Sequence, residues 1–167
     1  MFSSSRGQLY STDALLSLIV FAFALTLSSG ILSQIISQSD VAISAQYREQ
    51  AGDAALHTLL VTGGEPFYWN FISDKNNVQS VGLMDTSWGI STPKWNAFKD
   101  WNANDYYLLK SRMGIPDQNF YLTISDTNKT VLDAVGISPQ DKNEVTVIIR
   151  PSIFNGNPVM VQIQVYR

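Results

Sequence analysis

The sequence predicts an α+β protein: a long N-terminal α-helix, membrane-spanning in its first half, packed on a small antiparallel β-sheet head domain. Three observations carry this expectation. Residues 14–39, between Asp13 and Asp40, hold no charge. Beyond them, good helix formers continue through Val61 with no proline, and Gly52 is the only glycine between Ile31 and Thr62. The last third of the chain alternates apolar and polar residues with a period of two.

Residues 1–7 are small and polar and stand apart as a leader. The stretch from Ala14 to Ile36 is 23 residues, about 34 Å as a helix at roughly 1.5 Å per residue. That crosses a hydrocarbon core of about 30 Å. Arg6 places the leading segment on the cytoplasmic side and everything from Asp40 onward outside the cell. From Val41 to Leu60, Ile43, Tyr47, Ala51, Ala54, Ala55 and Leu59 recur at helical steps, with Arg48, Glu49 and Asp53 on the other side. Gly63-Gly64 stops the helix and Pro66 keeps it stopped. The expected organisation is a leader over 1–7, a helix over 8–62 with its membrane span at about 14–36, and a head over 63–167.

The head opens with a loop-rich aromatic segment, Glu65 to Gly114, holding Trp69, Trp88, Trp95 and Trp101. Ser91-Thr92-Pro93 reads as a helix start, a hydroxyl cap followed by proline at the first helical position. Trp95, Phe98 and Trp101 then share one face of a short helix, and a second short helix is expected from Asp105 to Met113. Three or four strands follow. Phe120, Leu122 and Ile124 alternate with Tyr121, Thr123 and Ser125, and Asp126 to Lys129 supplies a turn. Val145, Val147 and Ile149 alternate with Thr146 and Ile148, and Asn155-Gly156-Asn157-Pro158 turns into Val159, Val161, Ile163 and Val165. A half-buried sheet of this kind needs a cover, and the amphipathic half of the long helix is the expected one.

Several chemistries are excluded or weakened by composition. There is no cysteine, so disulfides and thiolate sites are absent. A formal charge of −3, with eleven basic residues scattered among fourteen acidic ones, offers no basic face for nucleic acid. His57 is the lone histidine, without the partners a general base or a metal site requires. Asp100-x-Asn102-x-Asn104 opens like a calcium loop, but Asp105 stands where glycine is needed and Ser111 where a bidentate glutamate is needed. These residues read instead as caps and turns. The tryptophans read as core rather than as a sugar-stacking platform, because each buries about 150–250 Å². Asn128-Lys129-Thr130 is an N-glycosylation acceptor in an expected exposed turn. No cofactor and no enzymatic activity are expected.

The plan of a long helix, apolar first and amphipathic later, feeding a sheet-bearing head resembles that of type IV pilin-like subunits. The start of the chain resembles the archaeal branch: Arg6-Gly7 followed by Gln8 and an apolar run from Ala14 is similar to its class III signal sequence. The head is similar to archaeal pilin-like proteins in Gly64-x-Pro66-x-x-Trp69, in Val81-Gly82-Leu83 and in Met113-Gly114-Ile115. The resemblance implies a structural subunit, major or minor, of an archaeal surface filament. It implies a prepilin peptidase cutting in or near Arg6-Gly7-Gln8 on the cytoplasmic side. The partners implied are a pilus assembly platform, the membrane and copies of this or related pilins, and the head would lie outside the cell. In that family an acidic residue commonly stands fifth after the cut. Cutting after Gly7 makes Thr12 fifth and Asp13 sixth, so either the cut follows Gln8 or the acid works from a shifted position.

A carboxylate at the mouth of an apolar helix costs up to about 3 kcal/mol at membrane depth unless it is paired. Asp13 is therefore expected to meet the freed amine of a neighbouring subunit, the alternative being a headgroup-level or helix-capping acid. Small residues in the span, Ala24 with Ser28 and Ser29 with Ser33 and Ser37, are spaced for close backbone approach along one stripe. The rival readings are a monomeric single-pass protein with an outward binding or adhesion head, and a secretory signal peptide cut at Ser28-x-Gly30.

Overall fold

The computed structural model describes residues 5–85, 89–140, 142 and 144–167, with the side chains of 5–12 and 35–41 outside that description. Trp88 lies outside the described residues. The fold is α+β. Helix α1 (Ser5–Val61) is 57 residues long, and a four-stranded antiparallel sheet is built from the C-terminal third. Two compact units divide the chain, Met1–Ser44 and Ala45–Arg167. The second, the head unit, thus takes in the last turns of α1.

Within the head unit, β1 (Gly64–Glu65) pairs antiparallel with β2 (Ser80–Val81). Helices α2 (Thr92–Asn104) and α3 (Tyr106–Arg112) follow, then β3 (Asn119–Ser125), β4 (Val131–Gly136), β5 (Val145–Phe154) and β6 (Asn157–Tyr166). The large sheet has the order β4-β3-β6-β5. Its turns have local causes. Asn155 and Gly156 both sit at positive φ (53° and 78°) between paired Phe154 and Asn157, the two-residue hairpin geometry that suits the twist of β-strands. The Asp126 carboxylate accepts from the backbone N–H groups of Asn128 and Thr130 and closes the β3–β4 turn. Asp105 caps α3 by accepting from the Leu108 N–H.

One contiguous core fills the head unit. Trp95, Phe98 and Trp101 are buried along α2 as their spacing predicts, beside Trp69, and Phe120, Leu122 and Ile124 of β3 meet Val161, Ile163 and Val165 of β6. The amphipathic end of α1 does cover the sheet, but with a face rotated from the expected one. Ile43, Tyr47 and Ala54 are exposed, while Arg48, Gly52, Ala55, Leu56 and Leu59 are buried. The reason is Gly52: a Cβ there would lie 2.7 Å from Ile148 Cδ1 and 2.9 Å from Val165 Cγ2, so the sheet packs directly on helix backbone. Arg48 reaches past that contact to Glu144 at 2.9 Å, and Asp53 accepts from Arg150 on β5.

Two further expectations need correction. β5 half-buries Ile148, partner of Ile163, against the core, while Val147 and Ile149 face out at 50% and 49% exposure. An edge strand has cover on one face only here, and the register turns Ile148 inward rather than Ile149. Strand β4 was not legible because Asp133 interrupts its apolar pattern. Ser91 precedes α2 but its hydroxyl caps nothing. It is buried, its backbone N–H donates to the Leu83 carbonyl, and the Thr92 hydroxyl donates instead to Asn155 Oδ1 at 2.7 Å.

Where α1 ends, its orphan carbonyls meet donors from the rest of the head. Leu59 O accepts from Leu83 N–H at 2.8 Å and Thr62 O from Met84 N–H at 3.0 Å. Gly63 O accepts from the Lys94 ammonium at 2.8 Å, and the same group donates to Met84 O at 3.0 Å. Lys94 is buried and lies 3.7 Å from the centre of the Phe67 ring. Burial pushes its pKa below the ordinary lysine value, and the Asp85 charge pulls it back up. Gly82 closes the junction: a Cβ there would meet Thr62 O at 2.3 Å, and its carbonyl accepts from Trp69 Nε1–H at 2.8 Å. The Gly64-x-Pro66-x-x-Trp69 and Val81-Gly82-Leu83 segments, distant in sequence, form this one junction.

Two stability predictions follow from these contacts. Lys94→Met keeps the stem but leaves two buried carbonyls unmet; it should lower unfolding free energy by about 2–3 kcal/mol, measured by urea titration of tryptophan fluorescence in detergent. Asp133 of β4 accepts from Trp95 Nε1–H at 2.8 Å and Lys99 Nζ at 2.7 Å, tying α2 to the sheet. Burial raises the pKa of its carboxyl, but the hydrogen bonds from Lys99, Trp95 and Ala134 and the Lys99 charge prevail and hold it below 3.8. A depressed folded pKa means this contribution is present above 3.8 and lost as pH falls through the lower folded value. Asp133→Asn should therefore lower stability by about 1–2 kcal/mol at neutral pH and less at pH 2, flattening the acid limb of the stability curve.

Candidate functional site

The feature of this chain with the clearest functional chemistry is the apolar part of α1. The segment from Asp13 to Gln34 is 22 residues long, an 18-residue window within it reaches a mean hydropathy of 2.3, and every residue of it is exposed. Leu15, Leu16, Leu18, Phe21, Phe23 and Leu25 each expose more than half their surface. Exposed apolar area on this scale requires a non-aqueous surrounding, either lipid or other protein. This is the one described helix long and apolar enough to cross a membrane.

Three hydroxyls inside the segment are bonded in a way that suits that surrounding. The Thr26 hydroxyl donates to Phe23 O at 2.8 Å, Ser29 to Thr26 O at 3.0 Å and Ser33 to Gly30 O at 2.9 Å. Each hydroxyl thus folds back onto its own helix, which removes the penalty of an unmet polar group in a low-dielectric medium. Thr26 was not singled out by the small-residue spacing, and only the side-chain rotamer shows that it joins Ser29 and Ser33 in this arrangement.

The expected small-residue stripe is resolved into two. At roughly 100° per residue, Ser29 and Ser33 lie about 140° around the helix from Ala24 and Ser28. Nothing lies within 4 Å of a Cβ at Gly30, so no close contact within the chain requires glycine there. Asp13 is exposed at the head of the segment. Arg6, Gly7 and Gln8 continue the same helix in backbone, and their side chains lie outside the described residues, as does that of Ser37.

The head unit places the remaining candidates. Asn128 and Thr130 are exposed in the β3–β4 turn, as expected for a modifiable acceptor. His57 is exposed on α1. Asp100 to Asn104 is helical, with Asn104 Nδ2 donating to Asp100 O at 2.7 Å; alternate residues on a helix diverge, so these oxygens do not form a calcium loop. Among the described residues no group of three metal-ligating His, Asp or Glu side chains is present. Comparison with known proteins finds no matching family, no matching curated protein and no matching solved structure.

Placing one charge in the middle of this segment tests its need for a non-aqueous surrounding. Phe23→Arg should cost about 2.5–3.5 kcal/mol of insertion free energy. The measurement is the share of protein sedimenting with membranes after carbonate washing, which should fall sharply, whereas Phe23→Leu should leave it unchanged.

Proposed function

We propose that this chain is a structural subunit, not an enzyme, of an archaeal type IV pilus-like surface filament. The observation that carries the proposal is the continuity of α1: one unbroken helix contributes both the exposed apolar segment from Asp13 to Gln34 and, from Ala45 on, part of the head's core. A simple tether would be joined to its domain by a flexible linker. A helix shared between the apolar segment and the head's core instead suits subunits whose apolar helices pack together along a fibre. The Arg6-Gly7-Gln8 sequence before the apolar run supports the same reading, through its likeness to class III signal sequences.

In this mechanism a prepilin peptidase removes the leader in or near Arg6-Gly7-Gln8. The apolar helices then leave lipid and bury one another, so that lipid contact is replaced by protein contact. Association of helices drawn from lipid depends on close packing and satisfied polar groups rather than on a difference in hydrophobicity. The back-bonded Thr26, Ser29 and Ser33 hydroxyls and the small Ala24 and Ser28 would let neighbouring helices approach on two sides. Asp13, exposed at the start of the segment, is the group proposed to pair with the new N-terminal amine of a neighbour. The assembly platform and the membrane are the remaining partners, and Asn128 is the proposed site of surface glycosylation.

The decisive measurement is the mass of the native N-terminus. Loss of residues 1–7 or 1–8, in material that sediments as a polymer, is the expected result. A monomer retaining Met1 would favour a single-pass anchored binding protein, and a chain starting at Ile31 a secretory signal peptide.

A further inference from the structure

Strand β5 lies at one edge of the large sheet, and part of that edge is open. Phe154 and Asn157 close a two-residue hairpin as a hydrogen-bonded pair, and bonded and unbonded pairs alternate from there along an antiparallel ladder. The even-numbered residues of β5 therefore bond to β6, while Val145, Val147, Ile149 and Ile153 turn their backbone N–H and C=O groups away from it. Ile153 bears out the alternation, because its carbonyl accepts from the Ile90 N–H at 2.8 Å. That contact fills one end of the edge, and Pro151 has no N–H to offer there. From Val145 to Ile149 no described group meets the outward N–H and C=O groups. Helix α1 does not close this stretch, since Gly52 lies against both Ile148 of β5 and Val165 of β6, over the seam between the two strands. The opposite edge is blunted: β4 carries a register irregularity beside Ser125 and ends on Gly136 at a φ of 99°. A regular edge left open is a template for another strand.

We propose that β5 pairs antiparallel with β5 of a second copy of this chain, about a two-fold axis at Val147. The strand is complementary to itself in that register. Val147 faces Val147, and Val145 faces Ile149 on either side of the axis, each pair exchanging two hydrogen bonds through the outward groups. Their side chains share the outer face of the sheet, where Val147 and Ile149 are now exposed. Glu144, one residue before the strand, stands opposite Arg150 of the second copy, and Arg150 opposite its Glu144. Facing β-branched residues and opposite charges both favour a cross-strand pair. Charge also selects the register: an axis at Thr146 sets Arg150 against Lys142, and an axis at Ile148 sets it against Thr146. Pro151 falls just past the paired stretch, where its missing N–H leaves no gap in the ladder.

Glu144 and Arg150 each bond within the chain, to Arg48 and Asp53, but their side chains stay 56% and 48% exposed. A carboxylate has a second oxygen and a guanidinium further N–H groups, so each can serve a partner across the axis as well. The outcome is a row of alternating charge, Arg48, Glu144, Arg150 and Asp53, on each side of the axis. Five paired residues make a small contact, and association through it alone is weak. The axis sets the Ala45–Val61 stretches of α1 in opposite directions, so the contact joins heads of opposite orientation, as on facing cells or fibres. It involves head residues only and does not rest on the filament reading. A monomeric anchored protein would carry the same edge, and failure of one reading leaves the other standing.

The chain has no cysteine, so one introduced thiol reports on the contact. The full-length protein in detergent, where chains are free to take either orientation, is treated with a short bis-maleimide. Val147→Cys should give about fivefold more covalent dimer than Val131→Cys, which places the thiol on the β4 edge. Charge exchange then tests the register in the Val147→Cys chain. Glu144→Arg and Arg150→Glu should each lower the dimer yield alone, because like charges then face across the axis. Mixing the two variants should restore it, since both facing pairs become opposite again. Thermal melting identifies a variant that has not folded, and the comparison of the two single-cysteine chains decides the proposal without it. Equal dimer yield from Val147→Cys and Val131→Cys, or no recovery on mixing two folded charge variants, would overturn the proposal.

Discussion

The head of this protein is organised by the need to meet the carbonyl groups at the end of α1. A helix that ends inside a folded unit presents acceptors with no partners of their own. Here Leu59, Thr62 and Gly63 find them in Leu83, Met84 and the Lys94 ammonium. Those three donors come from β2's exit and from α2, so satisfying the helix end also fixes where the small sheet and the second helix begin. A buried lysine is ordinarily a penalty. Two carbonyls and the face of Phe67 offset it, and the charge becomes a clasp between α1 and the segment before α2.

The same helix serves two surroundings with two kinds of side-chain arrangement. In the apolar segment the Thr26, Ser29 and Ser33 hydroxyls bond to their own helix backbone, which leaves those three groups with no unmet donor. From Ala45 on, the helix meets protein, and there its polar groups reach outward to other elements: Arg48 to Glu144 and Asp53 to Arg150. Inward hydrogen bonds suit a medium that cannot hydrogen-bond, whereas outward ones set the position of a sheet.

Legibility in the sequence followed the physical origin of each feature. The apolar run, the helix that contains it, the tryptophan face of α2 and strands β3 and β6 all rest on periodicity, which a linear reading captures. What escaped depended on partners. Gly52 carries no side chain to contribute to a pattern, yet it sets the buried face of α1 by admitting Ile148 and Val165. Arg48 reads as polar and is buried because Glu144 meets it. Asp133 hides β4 in the sequence because its carboxylate serves Trp95 and Lys99 on another element.

The sequence by itself determined the class, an apolar helix leading to an α+β head, because hydrophobic patterning is written residue by residue and needs no partner to be read. The tertiary structure decided which face of that helix is covered, how its end is capped and which polar atoms are left without a partner. Those outcomes depend on distances between elements remote in the chain, and such distances exist only once the elements have packed.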